Sequence, residues 1–140
     1  MMGESERKVQ SNNTGTQRSL KDLRILVVDD DANTRDMLGD LLKIRGANVA
    51  VAKSAAEARL AFWAWRPQVV ISDIGMTDED GYDLMRSIRA FPGGSSIKAI
   101  ALTGFIREED RQRALTAGSD HFAVKPVDLD RLFALIFGLA

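Results

Sequence analysis

The sequence predicts an α/β fold, a single doubly wound (βα)5 domain with a parallel five-stranded sheet and helices on both faces. Three observations predict it. Five short apolar runs rich in β-branched residues recur along the chain, five helical patterns alternate with them, and cap or turn residues mark the junctions. Residues 1–20 stand apart, because Ser, Asn, Thr, Gly, Gln and charges dominate there and too little apolar surface is available to offset the entropy of ordering. They are expected to form a flexible leader, with the domain proper spanning 21–140.

Leu23–Val28 (LRILVV) is a β-branched run ended by three aspartates, which suits a strand buried on both faces. Asn33–Arg45 follows with Met37, Leu38, Leu41 and Leu42 at helical spacing and Gly46 as its stop. Asn48–Ala52 (NVAVA) reads as the second strand. Ser54 and Glu57 have capping-box spacing, and the helix they open carries an apolar stripe at Ala58, Ala61, Phe62 and Trp65 before Pro67 closes it. Gln68–Ser72 is the third strand, running into Asp73, and Asp83–Ala90 is the third helix. Pro92-Gly93-Gly94 makes a turn before strand Ile97–Leu102, and Arg107–Ala117 is a strongly charged helix. Asp120–Val124 is the fifth strand, and Asp128 caps a last helix running toward Phe137.

Composition removes several classes of function. The 140 residues suffice for one core of ordinary size. Nineteen Lys and Arg against twenty Asp and Glu leave no basic surplus for tracking phosphates, so no nucleic-acid partner is expected. The chain has no Cys and one His, which excludes thiolate sites and thiol catalysis and leaves zinc sites or a Ser/His/Asp triad dependent on His121 alone. With no apolar run long enough to span a bilayer and no secretory h-region, the expected location is the cytoplasm, without membrane contact.

In open parallel sheets, ligands sit beyond the carboxyl ends of the strands. Those ends carry Asp29-Asp30-Asp31, Asp73, Thr103-Gly104 and Lys125-Pro126, all converging on one rim. Several carboxylates at one rim repel each other unless a cation joins them, and an all-oxygen donor set favours Mg²⁺. Lys125 offers a point charge and Thr103 a hydroxyl donor to the same place. Together these groups suit phosphoryl transfer.

Through the Asp29-Asp30 pair, Asp73 within SDIGM, Gly81, Thr103-Gly104 and Lys125-Pro126, residues 23–138 resemble the receiver domains of bacterial two-component signalling. The resemblance implies that Asp73 accepts a phosphoryl group from a phosphohistidine of a histidine kinase or histidine phosphotransfer protein. It further implies Mg²⁺ held by Asp29, Asp30, Asp73 and the Gly75 backbone carbonyl, with Thr103 and Lys125 on the phosphoryl oxygens. The flavodoxin-like strand order 2-1-3-4-5 is expected, as is a cis peptide before Pro126. Phosphorylation would draw Thr103 inward and reorient the fifth-strand aromatic, here Phe122, with output through the fourth helix, fifth strand and fifth helix. Such a domain is a switch, not a turnover enzyme.

Three departures from the family pattern bear on behaviour. Phe122 lacks the hydroxyl of the tyrosine frequent at its position, Thr77 replaces the proline that often follows Met76, and neither Gly75 nor Phe105 offers a polar side chain to orient a hydrolytic water. Slow self-dephosphorylation is expected. A rival reading, a small haloacid-dehalogenase-type phosphatase, uses Asp29 as the nucleophile of a D-x-D, but Asn33 stands where that pattern wants Thr or Val. A phosphorylation-independent scaffold is a third reading, opposed by the complete acidic pocket. No output domain follows Ala140, so a stand-alone receiver or a segment of a larger protein is expected; the stretch from Glu57 to Leu84 resembles receivers of hybrid histidine kinases. Trp63 lies off the apolar stripe of its helix and is expected to be partly exposed.

Overall fold

Ile25 and Val27 point to one face of the first strand and Leu26 and Val28 to the other, and all four are fully buried. A strand enclosed on both faces must sit inside a sheet covered by helices on each side, and the fold follows from that requirement. The structure is a computed structural model and describes residues 19–76, 81–104 and 108–138. Its strands are β1 (Arg24–Val28), β2 (Asn48–Ala52), β3 (Val69–Asp73), β4 (Lys98–Thr103) and β5 (His121–Val124). The helices are α1 (Ala32–Ile44), α2 (Ala55–Trp65), α3 (Gly81–Ala90), α4 (Glu108–Thr116) and α5 (Leu129–Phe137). All strand pairs are parallel, in the order β2-β1-β3-β4-β5.

One face of the sheet, through Ile25, Val27, Ile71 and Leu102, packs against α1 and α5. The other, through Leu26, Val28, Val70 and Ala99, packs against α2 and α3. Ala101 continues that second face under α4, with Ala114, Ala117 and Tyr82. The predicted elements are all present, with ends shifted by one or two residues. The exact match is β2, whereas α3 starts two residues before Asp83, at Gly81.

Local chemistry fixes the helix ends. The Ser54 side chain accepts the Glu57 amide at 3.1 Å, while Glu57 Oε1 accepts the amide of Lys53, one residue ahead of the cap, also at 3.1 Å. α2 ends at Trp65 because the residue before a proline is barred from helical backbone; Arg66 takes φ 56° instead. Asp128 accepts the amides of Asp130 and Arg131 at 3.0 and 3.4 Å. Replacing Asp128 by Ala is expected to lower stability by about 1 kcal/mol in urea unfolding, with the carboxyl-end rim of the sheet unaffected.

Leu20, assigned above to the leader, is instead a core residue at 2% exposure, and its amide donates to the Arg45 carbonyl at 2.8 Å. A single leucine behind a polar stretch carries no periodicity to announce it. Trp63 is 56% exposed, its ring edge-on to Phe91 and beneath the Arg66 guanidinium. Met76 is buried, while Thr77, Phe105 and Arg107 lie outside the described residues. Among the described residues no helix is long and apolar enough to cross a membrane.

Candidate functional site

Each tip of β1, β3, β4 and β5 contributes one of the side chains singled out above. Parallel registers align these tips: Val28 lies opposite Ser72, Asp73 opposite Leu102 and Thr103 opposite Val124. Asp29, the residue after β1, is fully buried, Asp73 is 7% exposed and Thr103 is 4% exposed, whereas Asp30 is exposed. Carboxylate oxygens of Asp29, Asp30 and Asp73 lie within 4.8 Å of one another. The Lys125 ammonium reaches two of these groups, at 2.8 Å from Asp29 Oδ2 and 3.3 Å from Asp73 Oδ2. The Lys125 amide donates to the Thr103 carbonyl at 2.7 Å, which continues the β4–β5 ladder and delivers the lysine to the rim. The Lys125-Pro126 peptide is cis, as the resemblance implies.

Backbone donors orient the acids. The amide of Asp31 donates to Asp29 Oδ1 at 2.9 Å and that of Gly75 to Asp73 Oδ1 at 3.0 Å. Asp31 itself caps α1, its carboxylate accepting the Thr34 hydroxyl at 2.6 Å. That bond holds the Asp31 carboxyl below its ordinary pKa. Arg35 was not anticipated. Its guanidinium donates to the Asp29 carbonyl at 2.8 Å and ties α1 to the turn that carries the acid pair. An arginine within a helical pattern reads as solvated, and no local signal distinguishes this one.

Burial raises the pKa of Asp29 above the usual carboxylate value, opposed by the Lys125 ammonium and the Asp31 amide and reinforced by the negative charge of Asp73. For Lys125, burial works against the charged form, but the two carboxylates outweigh it and its pKa rises. Among the described residues, Asp29 Oδ2 is a buried side-chain oxygen without a hydrogen-bond donor of good geometry. The 2.8 Å contact with Lys125 is an ion pair. An under-coordinated buried carboxylate oxygen, in a donor set made only of oxygen, fits a hard divalent cation better than it fits an ion pair alone.

A carboxylate with a raised folded pKa binds its proton more tightly folded than unfolded. Its contribution to stability is therefore present at low pH and is lost as pH rises from 3.8 through the folded value. In chelator, an Asp29→Asn chain is expected to gain stability relative to the native one as pH rises through that window to neutrality. Adding divalent cation is expected to act in the opposite direction, since the native chain gains about 1.4 kcal/mol per tenfold excess of cation over Kd. Thermal melts across pH, with and without cation, test both signs.

The family model described as response regulator receiver domain matches residues 25–137, which include every rim residue described above. The chain belongs to this family. Receiver domains of response regulators are generally signalling modules of two-component systems and not turnover enzymes. The receiver domain is 43% identical over 119 residues to an uncharacterized 14.6 kDa protein of the sodA1 3′ region in Leptolyngbya boryana, covering 85% of this chain and 91% of that one. It is 33% identical over 105 residues to a gliding motility regulatory protein of Myxococcus xanthus, covering 75% of this chain but only 14% of that protein's length. Among solved structures it superposes on a response regulator receiver protein of Pseudomonas putida with a TM-score of 0.77 and 36% identity, covering 84% of this chain and 97% of the other.

Proposed function

We propose that this receiver domain accepts a phosphoryl group on Asp73 from the phosphohistidine of a histidine kinase or histidine phosphotransfer protein in the cytoplasm, and that the modified form changes which partner it binds. One observation carries the reading: three carboxylates within 4.8 Å of one another share a rim with an ammonium that contacts two of them. Asp73 is the better nucleophile of the buried pair, since the side chain of Asp29 is wholly enclosed and that of Asp73 retains 10% exposure.

In the step, an Asp73 carboxylate oxygen attacks phosphorus, a P–O bond forms, and the P–N bond to the imidazole breaks with its electron pair leaving on nitrogen. The product is an acyl phosphate, and the imidazole takes a proton from solvent. A carboxylate nucleophile needs no general base, in keeping with a rim that contains no histidine. Lys125 balances charge on the transferred group, and Thr103 donates its hydroxyl to a phosphoryl oxygen. Asp29, Asp30, Asp73 and the Gly75 carbonyl would hold Mg²⁺, which when bound would neutralise further charge on the phosphoryl group.

The switch runs from Thr103 to Phe122, which packs against Ile74, Ala101, Ala114 and Ala117. Phe122 also lines a groove of about 390 Å³ with Leu115 of α4 and Arg131 of α5. Output through this surface fits a side chain that signals by filling or leaving a pocket, since Phe122 has no hydroxyl. Slow self-dephosphorylation follows from Gly75, which offers no side chain to orient water. The domain serves either alone or as the receiver of a hybrid histidine kinase.

Incubation with a phosphorylated histidine donor and Mg²⁺, followed by borohydride reduction and peptide mapping, is expected to place the modification on Asp73. Modification of Asp29 would support a haloacid-dehalogenase-type phosphatase instead. Absence of modification at both would overturn phosphoryl acceptance.

A further inference from the structure

The opposite end of the sheet holds a second built cavity, of about 350 Å³, where β1, β3 and β4 begin. Its walls include Arg24, Arg66, Phe62, Pro67, Ser96 and Ile97. Both arginines are half-buried and pinned by backbone carbonyls: Arg24 Nε donates to the Arg66 carbonyl at 2.9 Å, and Arg66 Nη1 to the Pro92 carbonyl. The Arg66 guanidinium also lies 4.5 Å from the Trp63 ring centroid and 5.7 Å from that of Phe62. Stacking of this kind fixes a fork that would otherwise sample many rotamers.

Each guanidinium spends one nitrogen on these contacts. Among the described residues, neither arginine lies within ion-pair distance of a carboxylate, and the remaining guanidinium nitrogens have no protein acceptor. Two half-buried positive charges lining one cavity without a counter-charge are costly, and an anion removes the cost. Elsewhere the fold does neutralise such a group: Arg89 donates to three carbonyls and to Asp120 Oδ2. The donors are two planar forks, which suit a tetrahedral dianion, and beside them the partly exposed Ile97 leaves room for a small organic group. The volume lies in the range of small-ligand sites.

We propose that this cavity is a binding site for a small organic phosphomonoester. Arg24 and Arg66 hold the phosphate, and the organic group lies beside Ile97. The site is at the amino-terminal edge of the sheet, away from Asp73, so it is distinct from the phosphoacceptor rim.

The test titrates the full chain with adenosine monophosphate, inorganic phosphate and adenosine in chelator, so that no divalent cation at the acidic rim recruits phosphate. Amide chemical shifts report the site. Adenosine monophosphate is expected to move the amides of Gln68, Gly93 and Ser96 saturably, and adenosine or phosphate alone to bind about tenfold more weakly or less, each lacking one set of contacts. Arg24→Gln is expected to weaken the nucleotide about tenfold by removing a charge-assisted donor pair. Ser96→Glu, at an exposed position, should weaken it comparably by placing a like charge in the cavity. The proposal is overturned by no saturable response at millimolar nucleotide, by shifts confined to other parts of the chain, by adenosine or phosphate binding as tightly as the nucleotide, or by unchanged affinity in both variants.

Discussion

An Asp73→Asn chain is expected to take up no measurable phosphoryl label from a phosphohistidine donor, a loss of about 10³-fold or more, because an amide oxygen is a poor nucleophile and yields no stable acyl phosphate. The loss should not come from unfolding. Asp73 sits with Asp29 and Asp30 inside 4.8 Å, so neutralising it relieves repulsion, and only its 3.3 Å contact with Lys125 is forfeited. In chelator the variant is expected to melt at or above the native temperature. Label uptake at the native rate would end the assignment of Asp73, and a collapsed melting temperature would show that the carboxylate is chiefly structural.

Gly81→Ala is expected to damage stability and chemistry together. A Cβ at position 81 would lie 2.6 Å from the Asp73 carbonyl oxygen and 2.6 Å from Ile74 Cα, closer than any real Cβ contact. Both are backbone atoms, so no side chain can swing aside; either α3 lifts from the sheet or the β3 tip moves. We expect a loss of about 3 kcal/mol in urea unfolding. Phosphoryl uptake should fall about 10²-fold in the molecules still folded, because the acceptor is displaced from its line of attack. Gly104→Ala is the control: among the described residues nothing lies within 4 Å of its Cβ position, and a change under about 0.5 kcal/mol is expected. Equal effects of the two substitutions would remove close backbone packing as the reason for Gly81.

These glycines mark the limit of what the sequence disclosed. Both stand in motifs that resemble the receiver family and look alike as letters. Only the folded chain shows that one lies against the tip of β3 and that no described residue lies within 4 Å of a Cβ at the other. The same holds for Arg35 on the Asp29 carbonyl, for Leu20 in the core, and for Arg24 and Arg66 at one cavity although 42 residues apart. None of these contacts leaves a periodic or local trace.

By itself the sequence determined the alternation of strands and helices, the caps at Ser54 and Asp128, and the identity of the groups at the strand ends, since each depends on side-chain spacing within one element. The tertiary structure decided how close those groups come: the 2.8 Å approach of Lys125 to a fully buried Asp29, the oxygen left without a good donor, and the second cavity at the far edge of the sheet. Distances between elements are set by the packing of both sheet faces at once, and no single stretch of chain encodes that packing.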